Sequence, residues 1–227
     1  KNIKIGLKSN AFIPDVAILD AGFTMSMPKN VVAETGMDAM THAVECFINT
    51  GLDDFAACLA SGAVEGLFRY LPLSYQKGDI ESREKVHNYQ CMAASAFANV
   101  GLGMAHGIAH SIGGIFGYGH GLINAVVLPY VLQYNSRDSR VSEKLKYLAK
   151  RIESLDFITA VKELNKMLSI PTSFSEMGMS TEDFESNFDL ITENSMKGST
   201  RVNPVNIDRE DMAKLLKYIF EGKDIDF

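Results

Sequence analysis

The sequence of 227 residues has no tryptophan, six prolines and three cysteines. Three cysteines in a chain of this length cannot supply the dense disulfide framework of a small secreted domain. Cys46, Cys58 and Cys91 have no CxxC spacing, and two of them lie in apolar helical surroundings. We therefore expect buried thiols in a reducing compartment, and hence a cytoplasmic protein.

Long apolar runs and clusters of basic residues are also missing. No apolar run approaches 18 residues and no basic, apolar leader opens the chain, so the pattern predicts neither a membrane span nor a secretory signal. The formal net charge is -6 without a Lys/Arg cluster, which argues against a nucleic-acid partner. The chain starts at Lys1 rather than Met, and we expect that an upstream part of a longer protein is absent.

Apolar residues make up 46% of the chain and follow a helical period after Pro28. We predict an all-α helical bundle over residues 29–227. One predicted helix ends before Pro72, because proline lacks the amide hydrogen that a helix interior needs. A later helix contains Pro129, where we expect a kink. The helix that ends before Pro72 is predicted over 53–70, and further helices are predicted over 38–47 and 79–99.

The first 28 residues have a different pattern. "PDVAILD" (residues 14–20) is a short apolar run bounded by Pro and Asp, which favours a buried strand, and "KNIKIGL" (residues 1–7) is a second candidate. Two strands alone do not make a stable sheet. We therefore predict that residues 1–28 are the remnant of an α/β domain and that residues 29–227 form a helical domain.

Four histidines and one aspartate form the main chemical pattern. Asp38 and His42 are four residues apart in "GMDAMTHAVECF", and His106 and His110 are four apart in "MAHGIAHSIGGIFGYGHG". Residues with this spacing share one face of a helix, and a glycine-rich break can return His120 to the same point. Such pairs on facing helices build metal centres in bundle cores. The alternative is that these histidines are ordinary hydrogen-bonded core residues. We assign this structural role to the fifth histidine, His87, which lies among charged neighbours.

A buried, ionised aspartate favours a metal site, because it is costly unless it is paired or bound to a metal, but on the residues alone both interpretations stay open. Imidazole-rich ligation with one carboxylate suits Fe(II), Zn(II), Ni(II) or Co(II). No cysteine lies in the cluster, and a site without thiolates favours a catalytic metal over a structural one.

Two segments resemble the iron-containing (group III) alcohol dehydrogenases: "GMDAMTHAVECF" and "FANVGLGMAHGIAHSIGGIFGYGHGLINAVVLPYVLQYN". The similarity extends from "FIPDVAILDAGFTMSMP" to "NPVNIDREDMAKLLKYIF", nearly the whole chain. It implies a helical bundle of the dehydroquinate synthase-like type, preceded by the end of an NAD(P)-binding domain. The family's Gly-Gly-Gly-Ser phosphate-binding segment has no counterpart here, so we expect the chain alone to be inactive.

The resemblance also implies roles for individual residues. Asp38, His42, His106 and His120 match the metal ligands, for Fe(II), with Zn or another divalent metal as the alternative. His110 matches a histidine that lies beside the substrate and the nicotinamide and is considered for proton transfer. Phe97 matches an aromatic residue near the substrate pocket. Two positions depart from the family pattern: Gly119 stands where many relatives have proline, and Ser111 where relatives often have proline or alanine.

The activity that this implies is NAD(P)-linked interconversion of a small primary alcohol and its aldehyde, in a homo-oligomer. Thr41 and Asn124 are candidates for orienting the ligands, although Thr41 also fits an ordinary helix position. Two alternatives remain: a helical interaction domain with a vestigial site, and a metal-dependent hydrolase of the HD type. The HD type requires a His-Asp pair, and no histidine here is followed by aspartate.

Overall fold

Ten α-helices follow one another along residues 9–227, the part of the chain that the computed structural model describes. They are α1 (Lys29–Ile48), α2 (Asp54–Gln76), α3 (Ile80–Val100), α4 (Met104–Phe116), α5 (His120–Asn135), α6 (Ser139–Arg151), α7 (Phe157–Met167), α8 (Thr181–Ser186), α9 (Phe188–Ser195) and α10 (Arg209–Glu221). Short 3-10 turns lie at Asn10–Phe12, Ala21–Thr24 and Gly198–Val202. The predicted all-α class is confirmed.

Local sequence explains where many of these helices begin. Five of them start after an aspartate whose carboxylate accepts a hydrogen bond from a main-chain N–H of the first turn; these residues are Asp53, Asp79, Asp138, Asp156 and Asp208. This side chain satisfies an amide that has no partner within the helix. Gly117 and Gly222 end α4 and α10 with positive φ angles of 76° and 75°, a backbone conformation that favours glycine.

The core forms around α1 and α5. Helix α1 packs against α2, α3 and α5, and α4 packs against α5, α9 and Gly198–Val202. Nearly every residue from Ile123 to Leu132 is fully buried, in agreement with the apolar run there. Within the described residues no single helix is long and apolar enough to cross a membrane; α3 and α4 pass that test only as a pair, bent by 101°.

The predicted end of α2 before Pro72 is wrong, because the helix continues to Gln76. Proline removes one main-chain hydrogen bond, but Leu71 and Ser74 on either side are buried at 0% and 1% exposure. Packing of this turn against its neighbours outweighs the lost bond. Pro129 lies inside α5, as predicted.

The predicted strand at residues 14–20 is also wrong, because this stretch has neither helix nor strand structure. Val16 and Ile18 are 76% and 85% exposed. A strand needs a neighbour to hydrogen-bond with, and the described residues provide none here. The second predicted strand, at residues 1–7, lies outside the described residues.

Burial of the cysteines was predicted too broadly. Cys46 is buried in α1, whereas Cys58 is exposed and Cys91 is intermediate. Cys58 lies on α2 beside residues that face the core, such as Ala56 and Ala60, but on the side turned to solvent.

Candidate metal centre

Helix α1 contributes three ionisable side chains to one face. Asp38, His42 and Glu45 are spaced by four and three residues, which places them above one another along the helix. Oδ2 of Asp38 lies 4.0 Å from Nε2 of His42. Glu45 is buried one turn further on, at 1% exposure.

Helix α4 brings His106 against this face. Its Nε2 lies 3.6 Å from Oδ1 of Asp38, and its ring stacks on His42 with 4.7 Å between centroids. His106 is 1% exposed, so this contact is closed to solvent. One ligand atom from each of Asp38, His42 and His106 lies within 4.8 Å of the other two, a spacing that can hold one metal ion.

His120 approaches from the first residue of α5. Its Nε2 lies 3.7 Å from Oδ1 of Asp38, and its ring centroid is 5.3 Å from that of His106. The side chain of His120 is 27% exposed, against 1% for His106. The structure therefore brings all four predicted ligand residues together around the Asp38 carboxylate, with His120 on the outer side.

The two other predicted site residues lie at the edge of this cluster. The ring of Phe97 stacks on His42 with 4.5 Å between centroids. The ring of His110 stacks on His120 at 5.0 Å and is 6.1 Å from His106. Both rings thus contact a predicted ligand directly.

Glu45 is the residue that sequence reasoning missed. Its carboxylate accepts hydrogen bonds from Nδ1 of His106 at 2.7 Å, from Gly103 N at 3.0 Å and from Ala105 N at 2.6 Å. It therefore orients the imidazole and also caps the beginning of α4. The available signal was an acid in a buried helix, seven residues after Asp38 and on the same face.

Of the two residues considered for orienting the ligands, one does so. Asn124 donates a hydrogen bond from Nδ2 to Oδ1 of Asp38 at 2.6 Å, and the same nitrogen lies 3.2 Å from Nε2 of His120. Thr41 instead donates to the carbonyl of Met37 in its own helix, an ordinary helical contact. Ser111, one of the departures from the family pattern, donates to the carbonyl of Ile191.

The charges of the cluster depend on one another. Burial would raise the pKa of Asp38, but the nearby imidazoles of His106, His42 and His120 lower it to about 2. Burial would lower the pKa of His106, but the nearby Asp38 carboxylate and the hydrogen bond to Glu45 raise it to about 9. Burial lowers the pKa of His42 to about 4 despite the nearby Asp38. In the metal-free chain, a proton on His106 therefore offsets part of the negative charge of the carboxylates beside it.

This donor set fits a divalent cation. Once His106 has lost its extra proton, Nδ1 still donates to Glu45 and the lone pair of Nε2 faces the Asp38 carboxylate, so that two acceptors face each other. A cation between them removes this repulsion. Among residues 9–227, Nε2 of His106 and Nδ1 of His42 are buried without a hydrogen-bond partner. Three imidazoles and one carboxylate without a thiolate suit Fe(II), Zn(II) or a related metal.

Comparison with known proteins agrees with this geometry. The sequence profile described as Fe-containing alcohol dehydrogenase family, C-terminal, matches residues 32–220. An NADPH-dependent butanol dehydrogenase of Clostridium saccharobutylicum is 37% identical over 233 aligned residues, which cover 99% of this chain and 60% of that protein. A 1-propanol dehydrogenase of Citrobacter freundii is 44% identical over 151 residues, covering 66% of this chain and 41% of that protein.

The fold is shared with solved structures. The iron-containing alcohol dehydrogenase of Thermococcus thioreducens superposes with a TM-score of 0.89 at 33% identity, over 95% of this chain and 57% of that chain. The chain thus spans about 60% or less of the length of these relatives. The profile match, the sequence identity and the superposition lead to one conclusion: this chain belongs to the Fe-containing alcohol dehydrogenase family and corresponds to its C-terminal part.

Proposed function

We propose that this chain is the metal- and substrate-binding part of an NAD(P)-linked alcohol dehydrogenase, which interconverts a small primary alcohol and its aldehyde. The observation that carries the proposal is the Asp38 carboxylate 3.6 Å from Nε2 of His106, with Glu45 on the far side of that ring. Two relatives, a butanol dehydrogenase and a 1-propanol dehydrogenase, suggest the substrate class.

In this proposal Asp38, His42, His106 and His120 hold the metal, with Fe(II) as the preferred ion. Lewis-acid polarisation of an alcohol or aldehyde oxygen is the chemistry that the metal supplies when bound, and hydride transfer is that of the nicotinamide. Glu45 keeps the proton of His106 on Nδ1, so that Nε2 stays available as a ligand atom.

Two residues act beside the metal. Phe97, stacked on His42, forms an apolar wall of the substrate pocket and excludes water. His110 contacts the nicotinamide side of the site and relays the alcohol proton, because an imidazole can accept and release a proton near neutral pH. Replacing His110 with alanine is expected to change the pH profile of the complete enzyme.

The domain division belongs to the same proposal. Residues 29–227 form the helical metal-binding domain, and residues 1–28 belong to a nucleotide-binding α/β domain in the whole protein. That domain supplies the NAD(P) site, and the working enzyme is a cytoplasmic homo-oligomer. The exposed apolar side chains of Ile13, Val16 and Ile18 agree with a segment that is covered by another domain.

Metal content tests the proposal directly. The chain is purified anaerobically and its iron and zinc are measured per polypeptide by inductively coupled plasma mass spectrometry. We expect about one metal ion per chain, and loss of that ion in the Asp38→Ala/His42→Ala variant, because both remove a ligand atom.

The matched control is His87→Ala, which removes a histidine outside the cluster and should leave the metal content unchanged. A wild-type chain without metal, or a double variant that keeps it, would contradict the assignment.

A further inference from the structure

A cavity of about 290 Å³ with a mainly apolar wall lies between the turn at Ala21–Thr24 and the first three helices. His87 lines it from α3, ten residues before Phe97, which corresponds to about 15 Å along a helix. The side chains of this cavity are therefore separate from the metal ligands.

Arg83 is the charged group of this cavity and is 7% exposed. Its Nη2 lies 3.5 Å from the carbonyl oxygen of Met27, and its Nε has no hydrogen-bond partner among residues 9–227. No carboxylate of the described chain lies within 4.0 Å of the guanidinium, whereas the exposed Arg140, Arg151 and Arg209 are each paired with one. Asp79 acts on Arg83 from further away and already accepts the amide of Ser82.

Two further polar atoms in the cavity wall are unpaired. Oγ of Ser74 and Nδ1 of His87 are buried without a hydrogen-bond partner in the described part of the chain. Ser74 is 1% exposed and cannot turn to bulk solvent. Buried polar groups in native proteins nearly always have partners, so three unpaired groups around one cavity indicate a ligand that is not part of the described chain.

We propose that this cavity binds a small organic anion through an oxyanion head group, a carboxylate or a phosphate. A guanidinium offers two parallel N–H donors that match the geometry of such a head group, and Ser74 and His87 supply further donors. Met27, Val32 and Val86 provide apolar walls for a short aliphatic part. The volume is close to the lower limit for small-molecule pockets.

Titration calorimetry with two anionic probes tests the proposal on the 227-residue chain. Inorganic phosphate and butyrate are compared with butyramide, which has the size of butyrate but no charge. The chain is first treated with a chelator, so that anion binding to a metal does not contribute. We expect saturable 1:1 binding of at least one anion and none of butyramide; which anion binds separates the phosphate from the carboxylate head group.

Variants locate the binding. Arg83→Lys keeps the charge but removes the planar fork, and His87→Ala removes one donor; each should weaken binding about tenfold or more, because charge-assisted hydrogen bonds are lost. Arg209→Met, which removes an exposed arginine on α10, is the matched control and should bind like wild type. Circular dichroism melts confirm that each variant is folded.

Two results would overturn the proposal. One is the absence of saturable binding of either anion to the folded wild-type chain, which would leave a cavity filled by water alone. The other is wild-type affinity in both folded variants, which would place the anion elsewhere.

Discussion

Nδ1 of His106 donates a 2.7 Å hydrogen bond to Glu45, and both side chains are 1% exposed. The same carboxylate accepts the amides of Gly103 and Ala105, so one side chain of α1 positions both the start of α4 and the imidazole ring. A carboxylate behind an imidazole fixes the ring orientation and the tautomer. The arrangement makes Glu45 the residue whose replacement tells most about this site.

The Glu45→Gln variant should lose metal affinity while keeping its helices. Glutamine has one acceptor oxygen and an NH₂ group, so it cannot accept all three N–H groups that Glu45 accepts. We expect affinity to fall about 10- to 100-fold, the usual effect of removing a residue that orients a ligand. Competition against a chromogenic chelator measures this change.

Glu193→Gln is the matched control, since Glu193 pairs with Lys197 on the exposed side of α9. Equal metal affinity in the Glu45 and Glu193 variants would show that the buried hydrogen bond does not orient His106.

Metal affinity should rise with pH. Because the nearby Asp38 carboxylate and the hydrogen bond to Glu45 raise the pKa of His106 to about 9 in the metal-free chain, a metal must displace one proton from that ring below pH 9. Affinity is therefore expected to increase about tenfold per pH unit between pH 6 and 8. Chelator competition at several pH values, with calorimetry in buffers of different ionisation enthalpy, counts the released proton.

The stability of the metal-free chain should change with pH in the opposite direction to the metal affinity. The folded pKa of His106 lies above the ordinary value of 6.5, so its contribution to the stability of the metal-free chain is complete below pH 6.5 and is lost as the pH rises through 9. Metal affinity that does not change between pH 6 and 8 would contradict the raised pKa.

A methyl group at position 121 should disturb the site through the backbone. A Cβ on Gly121 would overlap the main-chain oxygen of Glu34 in α1 and lie 3.3 Å from Cβ of Asp38. Helix α5 would have to move away from α1 and take His120 with it. We expect Gly121→Ala to lower the free energy of unfolding by about 1–3 kcal/mol, measured by urea denaturation, and to weaken metal binding.

Gly62→Ala provides the comparison, because its new Cβ meets only Cε of the flexible Met92, at 3.2 Å. The helix preference of alanine over glycine, about 1 kcal/mol, should offset that contact. If the free energy of unfolding fell by a similar amount in both variants, the close approach of α5 to α1 would not be what makes alanine unfavourable at position 121.

The cysteines should differ sharply in reactivity. Burial raises the pKa of Cys46 to about 12, so very little thiolate exists there at pH 8, whereas Cys58 is exposed. We expect Ellman's reagent to modify Cys58 in the native chain and Cys46 only after unfolding. A Cys58→Ser/Cys91→Ser variant that still reacted quickly under native conditions would refute this.

The helices could be predicted because their signals are local. Apolar periodicity and the aspartates before the first turns lie within a few residues of the structure that they determine. The i, i+4 spacing of Asp38 and His42 likewise predicted a shared face. The ligand roles came from family resemblance, and they remain predictions.

The remaining features depend on distant parts of the chain. Glu45 looked like an ordinary helix residue because its donors lie 58 to 61 residues away. Burial of Leu71 and Ser74 keeps α2 intact through Pro72. This burial depends on tertiary packing, so the local sequence does not predict it. The apolar run at residues 14–20 has the composition of a strand, but pairing decides whether a strand forms.

The link between Glu45 and the start of α4 also sets an order of assembly. Between them the chain makes the whole of α2 and α3, so closing this contact joins the ends of a segment of about 60 residues and has an entropic cost. During folding, Asp38 and His42 can meet as soon as α1 forms, but His106 arrives only with the docked tertiary structure. A metal ion held by all of these residues therefore stabilises the completely folded chain and not its folding intermediates.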